Sequence, residues 1–88
     1  MLRVTIASFP LVQLNVQFVS IPFGARFLSV TVKNGQLTAY ALVDLQLPKV
    51  QRKVLVVSTG KQIPSERWEF VGTAVEEGKV WHVFAEAA

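Results

Sequence analysis

Asn34-Gly35 stands between two runs that alternate apolar and polar residues, Phe27–Lys33 and Gln36–Val43. Both turn residues accept positive φ, so the pair predicts a two-residue β-hairpin whose backbone twist suits the flanking strands. So short a loop also sets the register. Lys33 should oppose Gln36, Val32 should oppose Leu37, Val30 should oppose Ala39, and Leu28 should oppose Ala41. One face then carries Leu28, Val30, Val32, Leu37, Ala39, Ala41 and Val43 and must be core. The other carries Phe27, Ser29, Thr31, Thr38, Tyr40 and Leu42, a mixture suited to a subunit interface or a ligand-binding face.

The rest of the chain has no helical period, and turn residues recur at short intervals. Further strands are expected at Leu2–Ala7, Val12–Ser20, Val54–Ser58, Trp68–Val75 and Val80–Ala85, with breaks at Ser8–Pro10 and Ile21–Ala25. In the second of these, Gln13, Asn15 and Gln17 should face water. "VLVVS" (54–58) shows no alternation, which suits a central strand covered on both faces. "DLQLPKVQRK" (44–53) reads as a basic connection and "EEGK" (76–79) as a glycine-bearing turn. Residues 1–88 therefore form a single all-β domain, a small sandwich or barrel of about six to seven antiparallel strands. Two-sided apolar strands in so small a sheet leave edges to hide, so a homo-oligomer is expected.

Apolar residues make up 51% of the chain and charged residues 17%, high enough to raise a membrane segment as an alternative. Val4–Ala25 is uncharged for 22 residues, long enough to span. It contains Pro10 and Pro22 and alternates Gln13, Asn15 and Gln17 with apolar neighbours, the period of a half-wet strand. One lipid-exposed strand would leave its backbone unpaired, so no membrane role is expected. The same polar residues interrupt any signal-peptide core, and a cytoplasmic protein is expected. The chain has no cysteine and one histidine, which leaves no disulfide framework, no thiolate chemistry and no zinc set. No cofactor is expected.

Seven basic residues and one acid, Asp44, lie in residues 1–65, and Lys49, Arg52, Lys53 and Lys61 fall in a stretch free of acids. Such an imbalance suits either an ordinary solvated surface or an anionic partner. Nucleic acid is one such partner, although no common RNA-binding signature is present. "STGK" (58–61) invites comparison with a P-loop, but Leu55 stands where the first glycine belongs, Gln62 follows the lysine, and Pro64 forbids the helix. What survives is a turn at Thr59-Gly60 whose N–H groups, with Lys61, could face a phosphate. His82 alternates with Val80 and Phe84 on an apolar strand face and reads first as a hydrogen-bonded core residue. No base, nucleophile and orienting carboxylate can be assembled around it, so no catalytic residue is assigned and the protein is read as a non-enzyme. Tyr40, Trp68 and Trp81 could stack on a base or simply pack. Arg67 is flanked by Glu66 and Glu69, which could neutralise it.

"IPFGARFLSVTVKNGQLTAYALVD" (21–44), "VVSTGKQIP" (56–64), "FVGTAV" (70–75) and "WHVF" (81–84), in that order, resemble a family of small, mostly uncharacterised proteins of tailed phages and prophages. The likeness covers roughly residues 18–86. Lys61 and Tyr40 depart from it, where the family often carries histidine and tryptophan. The resemblance implies a phage protein acting in the host cytoplasm. By analogy of genome context, it implies a non-enzymatic counter-defence protein that sequesters a nucleotide immune signal or occupies a host defence protein. A cyclic nucleotide or ADP-ribose type ligand would then meet Thr59, Gly60 and Lys61 at its phosphate, and Arg26, Arg67, Tyr40, Trp81 or His82 at base or sugar. The alternative is a structural or accessory phage assembly protein with no ligand.

Overall fold

The computed structural model describes residues 4–13 and 15–87. Seven strands follow one another: β1 (Val4–Pro10), β2 (Val16–Pro22), β3 (Arg26–Lys33), β4 (Gln36–Asp44), β5 (Lys49–Ser58), β6 (Trp68–Glu76) and β7 (Lys79–Glu86). They form a three-stranded sheet in the order β1-β4-β3 and a four-stranded sheet in the order β2-β5-β7-β6, all pairs antiparallel. The fold is thus all-β, with no helix among the described residues and none long and apolar enough to cross a membrane. Leu2 and Leu14, which the sequence placed in strands, lie outside the described residues.

The hairpin forms as its turn demands, with Asn34 at φ 51° and Gly35 at φ 73°. Lys33 opposes Gln36, Val32 opposes Leu37 and Val30 opposes Ala39. Leu28 does not oppose Ala41. A bulge after Phe27 puts Phe27 there instead, turns Phe27 against the core and leaves Leu28 exposed. Glu77-Gly78 repeats the hairpin turn between β6 and β7, with φ 52° and 77°.

Three further boundaries differ from the sequence reading. β1 continues through Ser8–Pro10, because an outer strand tolerates a proline that lacks a ladder donor. β5 begins at Lys49, so most of the basic stretch is strand and only Leu45–Pro48 turns. β2 starts at Val16 and takes the opposite phase: Val19 and Ile21 are buried while Val16 and Phe18 are exposed. Gln17 does not face water but lies on the core side. Its side chain donates to the Val12 carbonyl at 2.8 Å and accepts from the Val12 amide at 2.9 Å, which ties down the preceding loop. Gln13 and Asn15 thus precede the strand, and only Gln17 of the alternating set lies in β2.

The core lies between the sheets: Val19, Ile21, Leu37, Ala39, Ala41, Val43, Val54, Val56 and Val83, with Leu11 and Ala25 closing its ends. Small side chains let the sheets approach. At Gly72 in β6 an added Cβ would sit 3.1 Å from the Val30 amide nitrogen, so β3 and β6 close one side of the sandwich. β5 and β6 both run antiparallel to β7, so they point the same way, and residues 59–67 must return along the sheet's outer face across β7. Beneath that crossing, Leu55 and Val57 are buried on the face opposite Val54 and Val56. β5 is therefore central and covered on both sides.

Candidate functional site

The two ends of the sandwich hold the residues that the sequence singled out. At the hairpin end, β5 runs out into Thr59-Gly60-Lys61, an exposed turn closed by a 3.2 Å hydrogen bond from the Lys61 amide to the Ser58 carbonyl. Gly60 takes φ 90°, which the turn requires. Thr59 reaches His82 in β7, Oγ1 to Nε2 at 2.7 Å, and Thr73 in β6 meets the other ring nitrogen, Oγ1 to Nδ1 at 3.1 Å. Thr59 and His82 are thus brought together, but both imidazole nitrogens end on threonine hydroxyls and no carboxylate among the described residues orients the ring. The arrangement pins the start of the crossing segment to the sheet. Its far end is held by Trp68, whose Nε1 donates to the Pro64 carbonyl at 3.1 Å, and by Lys53, which pairs with Glu66 at 2.8 Å. Glu66 therefore neutralises Lys53 and not its neighbour Arg67. This hydrogen bond from Lys53 to Glu66, with the nearby Glu86 charge, raises the lysine above its ordinary value.

Arg26 and Arg67 lie at the opposite end, a strand length away, so the structure does not gather them around Lys61. Tyr40 stands half-buried on the outer face of the three-stranded sheet, opposite Ser8 and Ser29. Trp81 turns inward and packs against the core, where its indole N–H meets no acceptor among the described residues. Of the eight site residues named from sequence, only Thr59 and His82 meet through their side chains.

A concavity opens at the Arg26 end, and its organiser is Arg52, which in the sequence stands out only as charge. β5 carries this guanidinium to the Arg26 end of the sandwich. Its Nη1 donates to the Ala25 carbonyl at 2.9 Å, and its Nε and Nη2 donate to the Glu86 carbonyl at 3.4 and 3.2 Å. The guanidinium carbon lies 5.3 Å from the centre of the Phe27 ring. Two backbone carbonyls and an aromatic face thus fix Arg52, while two of its five N–H groups meet no acceptor among the described residues. Beside it opens a cleft of about 350 Å³ lined by Arg26, Phe27, Arg52, Glu69, Phe70 and Val71. On its other flank is a second cleft of about 330 Å³ between Pro22, Phe23 and Val50. Phe70 is exposed, and its ring packs edge-on against Phe84 at 5.6 Å. The signal for this site was in the sequence, as alternate residues on a basic strand. It became legible only once the bulge at Leu28 turned Phe27 toward Arg52.

A family model described as a domain of unknown function, DUF7352, matches residues 3–88. The chain belongs to this family. No curated protein and no solved structure matches the DUF7352 chain. Among the described residues no three histidine, aspartate or glutamate side chains gather in a way that could hold a metal ion.

Proposed function

We propose that this DUF7352 protein is a non-enzymatic binding protein that holds a nucleotide-type ligand in the cleft beside Arg52. In the setting of a tailed phage or prophage, it would thereby sequester a nucleotide immune signal of the host. The observation that carries the reading is the chemistry of that cleft. Arg26 and the free N–H groups of Arg52 suit a phosphate. The Phe27 ring, which lines the cleft and meets the Arg52 guanidinium, offers an aromatic surface to a base. Glu69 opposes a bare anion but accepts from ribose hydroxyls or an exocyclic amine. Phosphate, sugar and base together satisfy all three, and the volume lies within the range of small-molecule sites. A cyclic nucleotide or an ADP-ribose derivative has this composition.

Thermal unfolding in the presence of cyclic dinucleotides, cyclic trinucleotides and ADP-ribose derivatives tests the reading. A ligand at a hundredfold its Kd adds about 2.7 kcal/mol, a rise on the order of 10–20 °C for a domain of this size. The shift should vanish in Arg26→Glu, whose exposed side chain leaves the ligand-free melt unchanged. No shift with any compound class would overturn the nucleotide reading and point to occupation of a host defence protein instead. The alternative, a phage assembly protein without a ligand, draws on a different observation: the outer face of the three-stranded sheet is apolar and exposed at Val4, Ile6 and Leu42. Its mark would be association without any ligand response.

A further inference from the structure

Arg52 stands between two clefts whose walls differ in chemistry. Arg52 and Ala25 line both, so the clefts adjoin across a cation that the Ala25 and Glu86 carbonyls hold still. On the Phe27 side, Arg26 and Glu69 bring charge and hydrogen-bonding groups. On the other side the wall is Pro22, Phe23 and Val50. Val50 and Arg52 are alternate residues of β5 and share its face. The exposed Phe23 sits on a turn held at both ends, with its amide donating to the Pro48 carbonyl at 2.8 Å and the Ala25 amide donating to the Pro22 carbonyl at 3.2 Å. Two polar residues also border this cleft without making it polar. Gln51 alternates away from the Val50–Arg52 face, and the Glu86 carboxylate is drawn toward Lys53 at 3.9 Å.

We propose that the two clefts together take a phosphate-bridged dinucleotide, one base in each, with the bridging phosphate at Arg52. The proposal rests on the nucleotide reading and narrows it. A fixed cation between two hollows calls for a ligand with its charge in the middle and a ring at either end. A mononucleotide carries its charge at one end and fills one cleft. ADP-ribose carries its charge centrally but ends in a second ribose. Hydroxyls set against Pro22, Phe23 and Val50 would lose water without gaining partners. A second base meets the same wall with an apolar ring face. At about 350 and 330 Å³ the clefts are alike in size, as two nucleotide halves are. Only the first has Arg26 and Glu69 to read a base edge, so the Phe27-side base is selected and the Phe23-side base is held by stacking.

Isothermal titration of the intact protein with AMP, ADP-ribose and cyclic di-AMP, repeated with GMP and cyclic di-GMP, tests the proposal. The adenine compounds carry similar net charge at neutral pH, so attraction to Arg26 and Arg52 alone does not rank them. The cyclic dinucleotide of one series should bind roughly tenfold or more tightly than its mononucleotide and than ADP-ribose, the effect of stacking one further base. Phe23→Ala should remove that advantage while keeping the mononucleotide affinity and the wild-type circular dichroism. A readout on the wild type needs no variant: the Val50 methyls and the Phe23 and Gly24 amides should shift with the dinucleotide and stay still with the mononucleotide. Equal affinity for one base and two, a dinucleotide that binds Phe23→Ala as tightly as wild type, or unmoved Val50 methyls would each overturn the two-cleft proposal and leave the one-cleft reading standing. Binding by none of the compounds would overturn both.

Discussion

At one end of the sandwich Thr59, Gly60 and Lys61 stand in an open turn. At the other, Arg26 and Arg52 border a cleft with Phe27 and Phe70. Both ends are basic, and in the sequence the first looks richer, because glycine, hydroxyls and lysine fall together. In the fold Thr59 is spent on His82, the Lys61 amide is spent on the Ser58 carbonyl, and the lysine side chain remains an exposed point charge. Arg52 is instead fixed by two backbone carbonyls and a ring. A cation becomes a binding group when the fold immobilises it next to a concavity, and proximity in sequence does not do that.

Removing Arg52 breaks the comparison most severely. Arg52→Ala strands the Ala25 and Glu86 carbonyls and should cost about 2–3 kcal/mol. That is a fall of roughly 10–20 °C in the melt, together with loss of any ligand response. Arg52→Lys keeps the charge but not the fork, and should recover less than half of either. Gly72→Ala comes next and lies between the two ends. Its Cβ would press on the Val30 backbone where β3 meets β6, at a cost of about 1–3 kcal/mol by urea denaturation. Because the cost is global, the affinity of the folded fraction should not change, which separates stability from binding.

Thr59→Val tests the hairpin end. Loss of the hydroxyl leaves His82 one partner short, with a cost of about 1 kcal/mol. Freed at its start, the crossing segment should show faster amide exchange over residues 59–67 while ligand response is retained. The smallest effect is expected at Lys53→Met, on the exposed far anchor of that segment. Its hydrogen bond to Glu66 raises the lysine, so the stabilisation is fully present below the ordinary 10.5 and fades as pH climbs through the higher folded value. The difference between wild type and variant should therefore be seen at neutral pH, shrink in strong alkali, and shrink with salt.

The hairpin at Asn34-Gly35, the central burial of β5 and the all-β class were legible because each rests on local pattern: turn residues that accept positive φ, or an apolar run without alternation. What the pattern hid has a common cause. Leu28 changed faces through a bulge, which adds a residue without any sequence mark. Gln17 looked solvated, yet it was recruited by the backbone of Val12. Thr59 in the loop and His82 in β7 do meet, but His82, which alternation with Val80 and Phe84 placed in the core, stands half-buried on the sheet's outer face, where Thr59 and Thr73 take up its ring nitrogens. The Arg52 cleft was not legible, because it depends on the bulge that turns Phe27 toward Arg52, and a bulge leaves no mark in the sequence.

The most direct test of the contrast between the two ends is a chemical-shift titration of the isotope-labelled protein with ADP-ribose. The account predicts that the shifting resonances are those of Ala25, Arg26, Glu69, Phe70 and the Arg52 Nε–H, with Thr59, Gly60 and Lys61 unmoved. Shifts gathered at residues 59–61, with the Arg52 resonance unchanged, would contradict it.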